Sequence, residues 1–269
     1  MQSLVRTMIA ALFLTGLAQG DVFYEEEVVN GGIGSQKKGA QKTVNRIYLK
    51  GPKQKVQTQV ETSKEASKSQ QNEGQNQDGS TLLYLDSKMV YEIDNFKRVY
   101  TQEKLPAAKP VAKQSSTTGP KPVFRVKELP DTTRILGFLC HKIAVEMRVA
   151  HAKKENRYLY QAYMARDLPG LAEIEQFRKL QASQTSYPSL IKGGLEQLQG
   201  VVEDYDQLTD QMKVLQGFPM QSDLKVYVKP AGGKSQQVFQ LSRKVRQYSH
   251  SPLKEAEFKL AKDLQEVKK

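Results

Sequence analysis

Apolar and polar residues alternate with a period of two along most of this chain, and glycine, proline or Asp/Asn turn residues punctuate the alternation at short intervals. Successive side chains of a strand point to opposite faces, so this pattern commits the chain to a sheet whose strands are half-buried. Residues 22–29 (Val-Phe-Tyr-Glu-Glu-Glu-Val-Val), 43–50 and 55–61 read as the first three strands, turned at Gly31, Gly32 and Gly34 and at Gly51-Pro52. Residues 82–86, 88–94 and 97–101 form a meander with turns at Asp86-Ser87 and Asp94-Asn95-Phe96. Residues 123–126 are a short strand. Residues 134–149 are a longer one in which Gly137 marks a bend or bulge, and residues 156–165 pair with it as a hairpin. Alternation returns over 224–229, 237–241 and 244–248, with Pro230 to Gly233 turning between the first two.

One block breaks the period. Asp167 is positioned as a helix N-cap with Pro169 in the first turn, and Leu171, Ile174, Phe177 and Leu180 follow at helical spacing. A second stretch places Leu195, Leu198, Val202, Tyr205, Leu208, Met212 and Leu215 three and four residues apart, with Glu, Gln, Asp and Lys between them. Gly200 divides this stretch into two helices, and Gly217-Phe218-Pro219 ends it. The expected fold class is therefore α+β: a curved antiparallel sheet, an incomplete β-barrel, with helices packed on its concave side. Residues 62–80 are too poor in apolar side chains to order themselves and read as a flexible hairpin loop, and residues 103–122, rich in Pro, Ala, Lys and Ser, read as a flexible linker or long loop.

The first twenty residues fit a cleavable secretory signal. Arg6 precedes an apolar run from Met8 to Ala18, and Ala18 and Gly20 occupy a small-residue cleavage site. The run is too short and too interrupted, by Thr15 and Gly16, for a spanning helix. No cysteine stands at the cleavage region and no second long apolar stretch follows. The expectation is a single domain over 21–269, released without a transmembrane anchor as a periplasmic or secreted protein of a Gram-negative bacterium. The formal net charge of +12 favours anionic surfaces as partners. The basic residues form no Arg-rich helix or nucleic-acid recognition motif, so nucleic acid is not expected. One cysteine, Cys140, permits no internal disulfide, and the hydrophobic core must carry stability.

Constellations that carry catalysis are sparse. His141, His151 and His250 have no second ligand at metal-binding spacing, so no metal is expected. Cys140 and His141 are neighbours on a strand and point to opposite faces, which prevents their direct cooperation. Gly31-Gly-Ile-Gly34 lacks the spacing of a dinucleotide loop, and the run Glu25 to Glu27 reads as solvent-facing or lysine-paired. The expectation is a protein that is not an enzyme and uses no cofactor.

The 82–101 meander, Gly137-Phe-Leu-Cys-His-Lys-Ile143, the Tyr-rich strand running into Ala165-Arg-Asp-Leu-Pro169, the helices and Gly217-Phe-Pro219 resemble the DUF4412 family of exported bacterial proteins, over roughly 80–258. Here Tyr160 and Tyr163 stand where that family carries tryptophan. The family is similar in fold to the LolA and LolB lipoprotein carriers. The resemblance implies an apolar cavity under a helical lid and a lipid-like or acylated ligand. Leu195, Leu198, Val202, Tyr205, Leu208 and Met212 are then the candidate ligand-binding residues. From the residues alone, the same stripe is first of all a core face. The alternative function is an envelope structural or interaction protein that holds an anionic partner through basic loops.

Overall fold

A computed structural model of the chain describes residues 20–33, 41–61, 78–108, 121–187, 204, 207–208, 212 and 214–268. The expected signal segment and most of both expected loops lie outside the described residues. The polypeptide forms β1 (Val22–Ile33), β2 (Gln41–Lys50), β3 (Lys53–Glu61), β4 (Gly79–Tyr84), β5 (Met89–Asp94) and β6 (Val99–Lys104). It continues through β7 (Val123–Ile135), β8 (Phe138–Ala150), β9 (Lys154–Ala165), helix α1 (Leu171–Gln184), β10 (Phe218–Pro230), β11 (Gln236–His250) and β12 (Gln265–Glu266).

The twelve described strands join one sheet in the order β12-β6-β5-β4-β3-β2-β1-β11-β10-β9-β8-β7. Two antiparallel meanders, β1–β6 and β7–β11, meet where β1 pairs with β11. Only β12 runs parallel to its neighbour, β6. The sheet stays open, with β7 and the two-residue β12 at its edges.

The expected α+β class, with several helices packed on the concave side, is overturned. Among the described residues α1 is the one α-helix of any length, and the architecture is a single large open sheet. The difference has a physical source. β7, β10 and β11 run 13, 13 and 15 residues, far beyond the short apolar cores that mark strands in the sequence. In β7, the polar run Lys127, Glu128, Asp131, Thr132 is strand although little of it is buried. An edge strand has no second neighbour to bury its side chains, so no alternation announces it.

The turn at Gly137 also differs from the expected bend. Leu136 and Gly137 both have positive φ (52° and 86°) and form a two-residue hairpin loop between β7 and β8. Nor does Asp167 cap the helix. The residue before α1 is Gly170, in the left-handed conformation at φ 82°, and no side chain caps it. A β-carbon there would approach His250 Cδ2 and Val22 Cγ2 at 2.7 Å, so both space and dihedral select glycine.

One face of the sheet, the inner face, carries most of the core. Ile174 and Phe177 of α1 join Val22, Tyr24, Ile47, Leu49, Leu83 and Val90 in a first cluster. Each such burial is worth roughly 1.5–3 kcal/mol. A second cluster gathers Val145, Met147, Tyr158, Leu224 and Leu241 of β8–β11 around Leu208. Part of the outer face is covered by the C-terminal tail. A 3-10 turn, Glu255–Phe258, contacts β3, Lys53 and Lys55 pair with Glu255 and Glu257, and the Tyr84 hydroxyl donates to the Phe258 carbonyl.

Candidate functional site

Among the described residues, the apolar inner face holds a carboxylate–guanidinium pair buried on both sides. Tyr24, Glu26 and Val28 of β1 point inward together, as do Leu241, Arg243 and Val245 of β11. Arg243 Nε donates to Glu26 Oε2 at 2.5 Å, and the two residues are only 2% and 1% exposed. Asn45 of β2 donates to Glu26 Oε1 at 3.2 Å, and Thr58 of β3 donates to Asn45 at 3.1 Å. A polar string thus crosses β11, β1, β2 and β3. The rings of Phe218 and Tyr24 flank the guanidinium at 5.2 and 6.0 Å from its carbon, and Nη1 donates to the Pro219 carbonyl.

Among the described residues, Arg243 Nη2 has no hydrogen-bond partner. A buried donor left unmade carries a desolvation penalty of roughly 1–3 kcal/mol, which an incoming acceptor would recover. Nearby, burial holds the Tyr160 phenol above its ordinary range, partly offset by a hydrogen bond with Ser222 and by the Arg243 charge. Both hydroxyls are neutral groups able to donate.

A second buried carboxylate, Asp204, is held by the start of β9. Asp204 Oδ2 accepts from the Tyr158 hydroxyl at 2.7 Å and from Asn156 Nδ2 at 2.9 Å. His151 Nε2 lies 3.2 Å from Asp204 Oδ1. Burial, reinforced by Asp204, pushes the Tyr158 phenol far up, so it serves as a donor and not as a nucleophile. The cluster pins Asp204 to the start of β9, and Leu208, Met212 and Leu215 pack against the neighbouring apolar cluster.

Of the six expected ligand-binding residues, Leu195, Leu198, Val202 and Tyr205 lie outside the described residues. Leu208 is buried on the inner face and Met212 packs beside it, partly exposed. Cys140 is fully buried, and burial pushes its thiol up, away from reactivity. His141 sits 3.9 Å from Glu128, and His250 sits 3.4 Å from Glu173. No group of three metal-ligating side chains occurs among the described residues, and no described helix is long and apolar enough to cross a membrane.

The Glu26–Arg243 pair was missed, although the sequence carried a signal for it. In the run Glu25 to Glu27, Glu25 pairs with Arg46 and Glu27 with Lys42 and Arg246 on the outer face. Glu26 alone falls between the inward Tyr24 and Val28, and Arg243 alone falls between the inward Leu241 and Val245. A carboxylate and a guanidinium at inward positions require each other.

No family model matches the chain, and no curated protein matches it. Among solved structures, the crystal structure of an uncharacterized conserved protein from Thermus thermophilus is similar over 93% of this chain and 91% of that one, at 10% identity and a TM-score of 0.36. A likeness at that level carries no argument about function.

Proposed function

We propose that this chain is a non-enzymatic binding or carrier protein for an amphipathic, acyl-bearing ligand, acting outside the cytoplasm after removal of its signal segment. The observation that carries the reading is Arg243: a guanidinium buried on an apolar sheet face, with one nitrogen unpartnered among the described residues. An acyl chain would lie along the second cluster and its anionic head would meet Nη2, a charge-assisted contact stronger than a neutral one. Leu208 occupies the inner face in this structure, so a ligand would enter by displacing the stretch around Leu208, Met212 and Leu215. The motif resemblance to DUF4412 proteins supports the same reading.

Native mass spectrometry of the protein purified from its own host tests this. A mass increment from an acyl-bearing molecule is expected. Ligand-free protein alone, under conditions that preserve such complexes, contradicts the proposal.

A further inference from the structure

The residue after Arg243 points the other way. On the outer face, Tyr163 of β9, Gln221 of β10 and Lys244 of β11 stand directly opposite one another in a cross-strand row. The β7–β8 hairpin, through Thr133 to Leu136, walls one side, and Arg246 another. Together they enclose an open depression of about 590 Å³, inside the range of roughly 300–1,000 Å³ common to small-ligand sites.

Its lining is basic: Arg134, Lys244 and Arg246 line it, and the nearest carboxylate in the row, Glu27 opposite Lys244 on β1, is held by Arg246 and Lys42. Arg246 is engaged by Glu27 at 2.7 Å, and Arg134 donates to the Gly137 carbonyl at 2.8 Å. Lys244 is exposed and makes no ion pair among the described residues. The neutral part of the lining is equally specific. It offers the Tyr163 ring, the Gln221 amide and the Thr133 hydroxyl. Lys142, paired with Asp131, lies over one face of the Tyr163 ring, 5.7 Å from its centre, which leaves the other face for a sugar ring.

Cations alone would suit any anion. An aromatic ring and two neutral hydrogen-bonding side chains next to them suit a ligand with a carbon ring, hydroxyl groups and one acidic group. The geometry points to an acidic-saccharide site: a sugar ring against Tyr163, hydroxyls on Gln221 and Thr133, and a carboxylate or phosphate on Lys244. This site lies on the opposite face from Arg243 and depends on no part of the acyl-ligand reading.

The test is an amide-shift titration of the full chain with galacturonate, glucose 6-phosphate, glucose and inorganic phosphate, with affinities from calorimetry. At least one acidic sugar should shift Thr133, Tyr163, Gln221 and Lys244, and comparison of the two distinguishes a carboxylate from a phosphate as the acid. Glucose and inorganic phosphate should bind at least about tenfold more weakly, a difference of about 1.4 kcal/mol. Lys244→Gln, at an exposed position that leaves the core intact, should weaken the acidic sugar at least about fivefold, the loss of one charge-assisted contact. Gln221→Leu should erase the preference over inorganic phosphate. Absence of shifts with both acidic sugars, equal binding of inorganic phosphate, or unchanged affinity in Lys244→Gln would each overturn the assignment.

Discussion

Replacing Arg243 by methionine keeps much of the side-chain volume but leaves Glu26 buried at 1% exposure with Asn45 as its remaining described hydrogen-bond partner. Breaking a buried ion pair from one side costs about 3–5 kcal/mol, because the surviving charge is uncompensated. The lost bond to the Pro219 carbonyl and the ring contacts to Phe218 and Tyr24 place Arg243→Met in the upper part of that range. For a chain of this size each kcal/mol moves Tm by about 2–4 °C, so a fall of roughly 10 °C or more is expected. The chain has no tryptophan, so unfolding in urea is best followed by far-UV circular dichroism. The double variant Glu26→Leu/Arg243→Met should recover most of the loss, because replacing both partners by apolar groups is often neutral or stabilising. A single-variant cost below about 1 kcal/mol, or a double variant no better than the single, would refute this reasoning.

Other consequences are simpler to check. Asp204→Ala removes the acceptor shared by Tyr158 and Asn156 and should cost about 2–3 kcal/mol; hydrogen exchange should rise at Leu208 and Met212, and unchanged protection there would contradict the anchoring role. Cys140, buried with its thiol pushed up, should react with Ellman's reagent only when urea unfolds the protein, whereas fast labelling of the native state would place the thiol elsewhere. Arg166 holds the Glu128 carboxyl below its ordinary value, and Arg148 and Arg157 do the same for Glu146. Groups so depressed stabilise the fold above their unfolded value of 4.5 and lose that contribution as pH falls through the lower folded values. Urea midpoints should therefore be level from pH 7 to about 5 and drop below about 4.5, and midpoints that rise on acidification would be inconsistent with these pairs. Phe258→Ala, at 2% exposure, should cost about 3–5 kcal/mol and loosen the tail from β3, which limited proteolysis would report.

Much of the sheet was legible because alternation and turns agree. The turns at Gly51-Pro52, Asp86-Ser87 and Asp94-Asn95-Phe96 stand where the sequence places them, and the β8–β9 hairpin pairs Cys140 with Ala165 through Ala150 with Glu155. What failed was extent and class. β7 shows no alternation because it lies at an open edge. Most of the 195–215 stripe, from which a helical layer was expected, lies outside the described residues. Leu208 is buried and Met212 is partly exposed beside the second cluster. The pairing of Asp204 with His151 and Asn156 was not legible, because it joins residues about fifty positions apart. No local pattern encodes that register. The outer row of Tyr163, Gln221 and Lys244 was hidden for the same reason: it exists only once three strands are aligned.

The central claim, that the inner face receives an acyl chain, is tested most directly by titrating a fluorescent fatty-acid probe into wild-type protein and into Met212→Asp. Met212 packs at the margin of the second cluster and is partly exposed, so a charge there leaves the fold intact while obstructing the proposed entry. Saturable probe fluorescence with wild type, reduced at least about tenfold in affinity by the substitution, a change of about 1.4 kcal/mol, is the predicted result. No saturable binding to wild type, or equal binding to a Met212→Asp protein with a native circular dichroism spectrum, would contradict it.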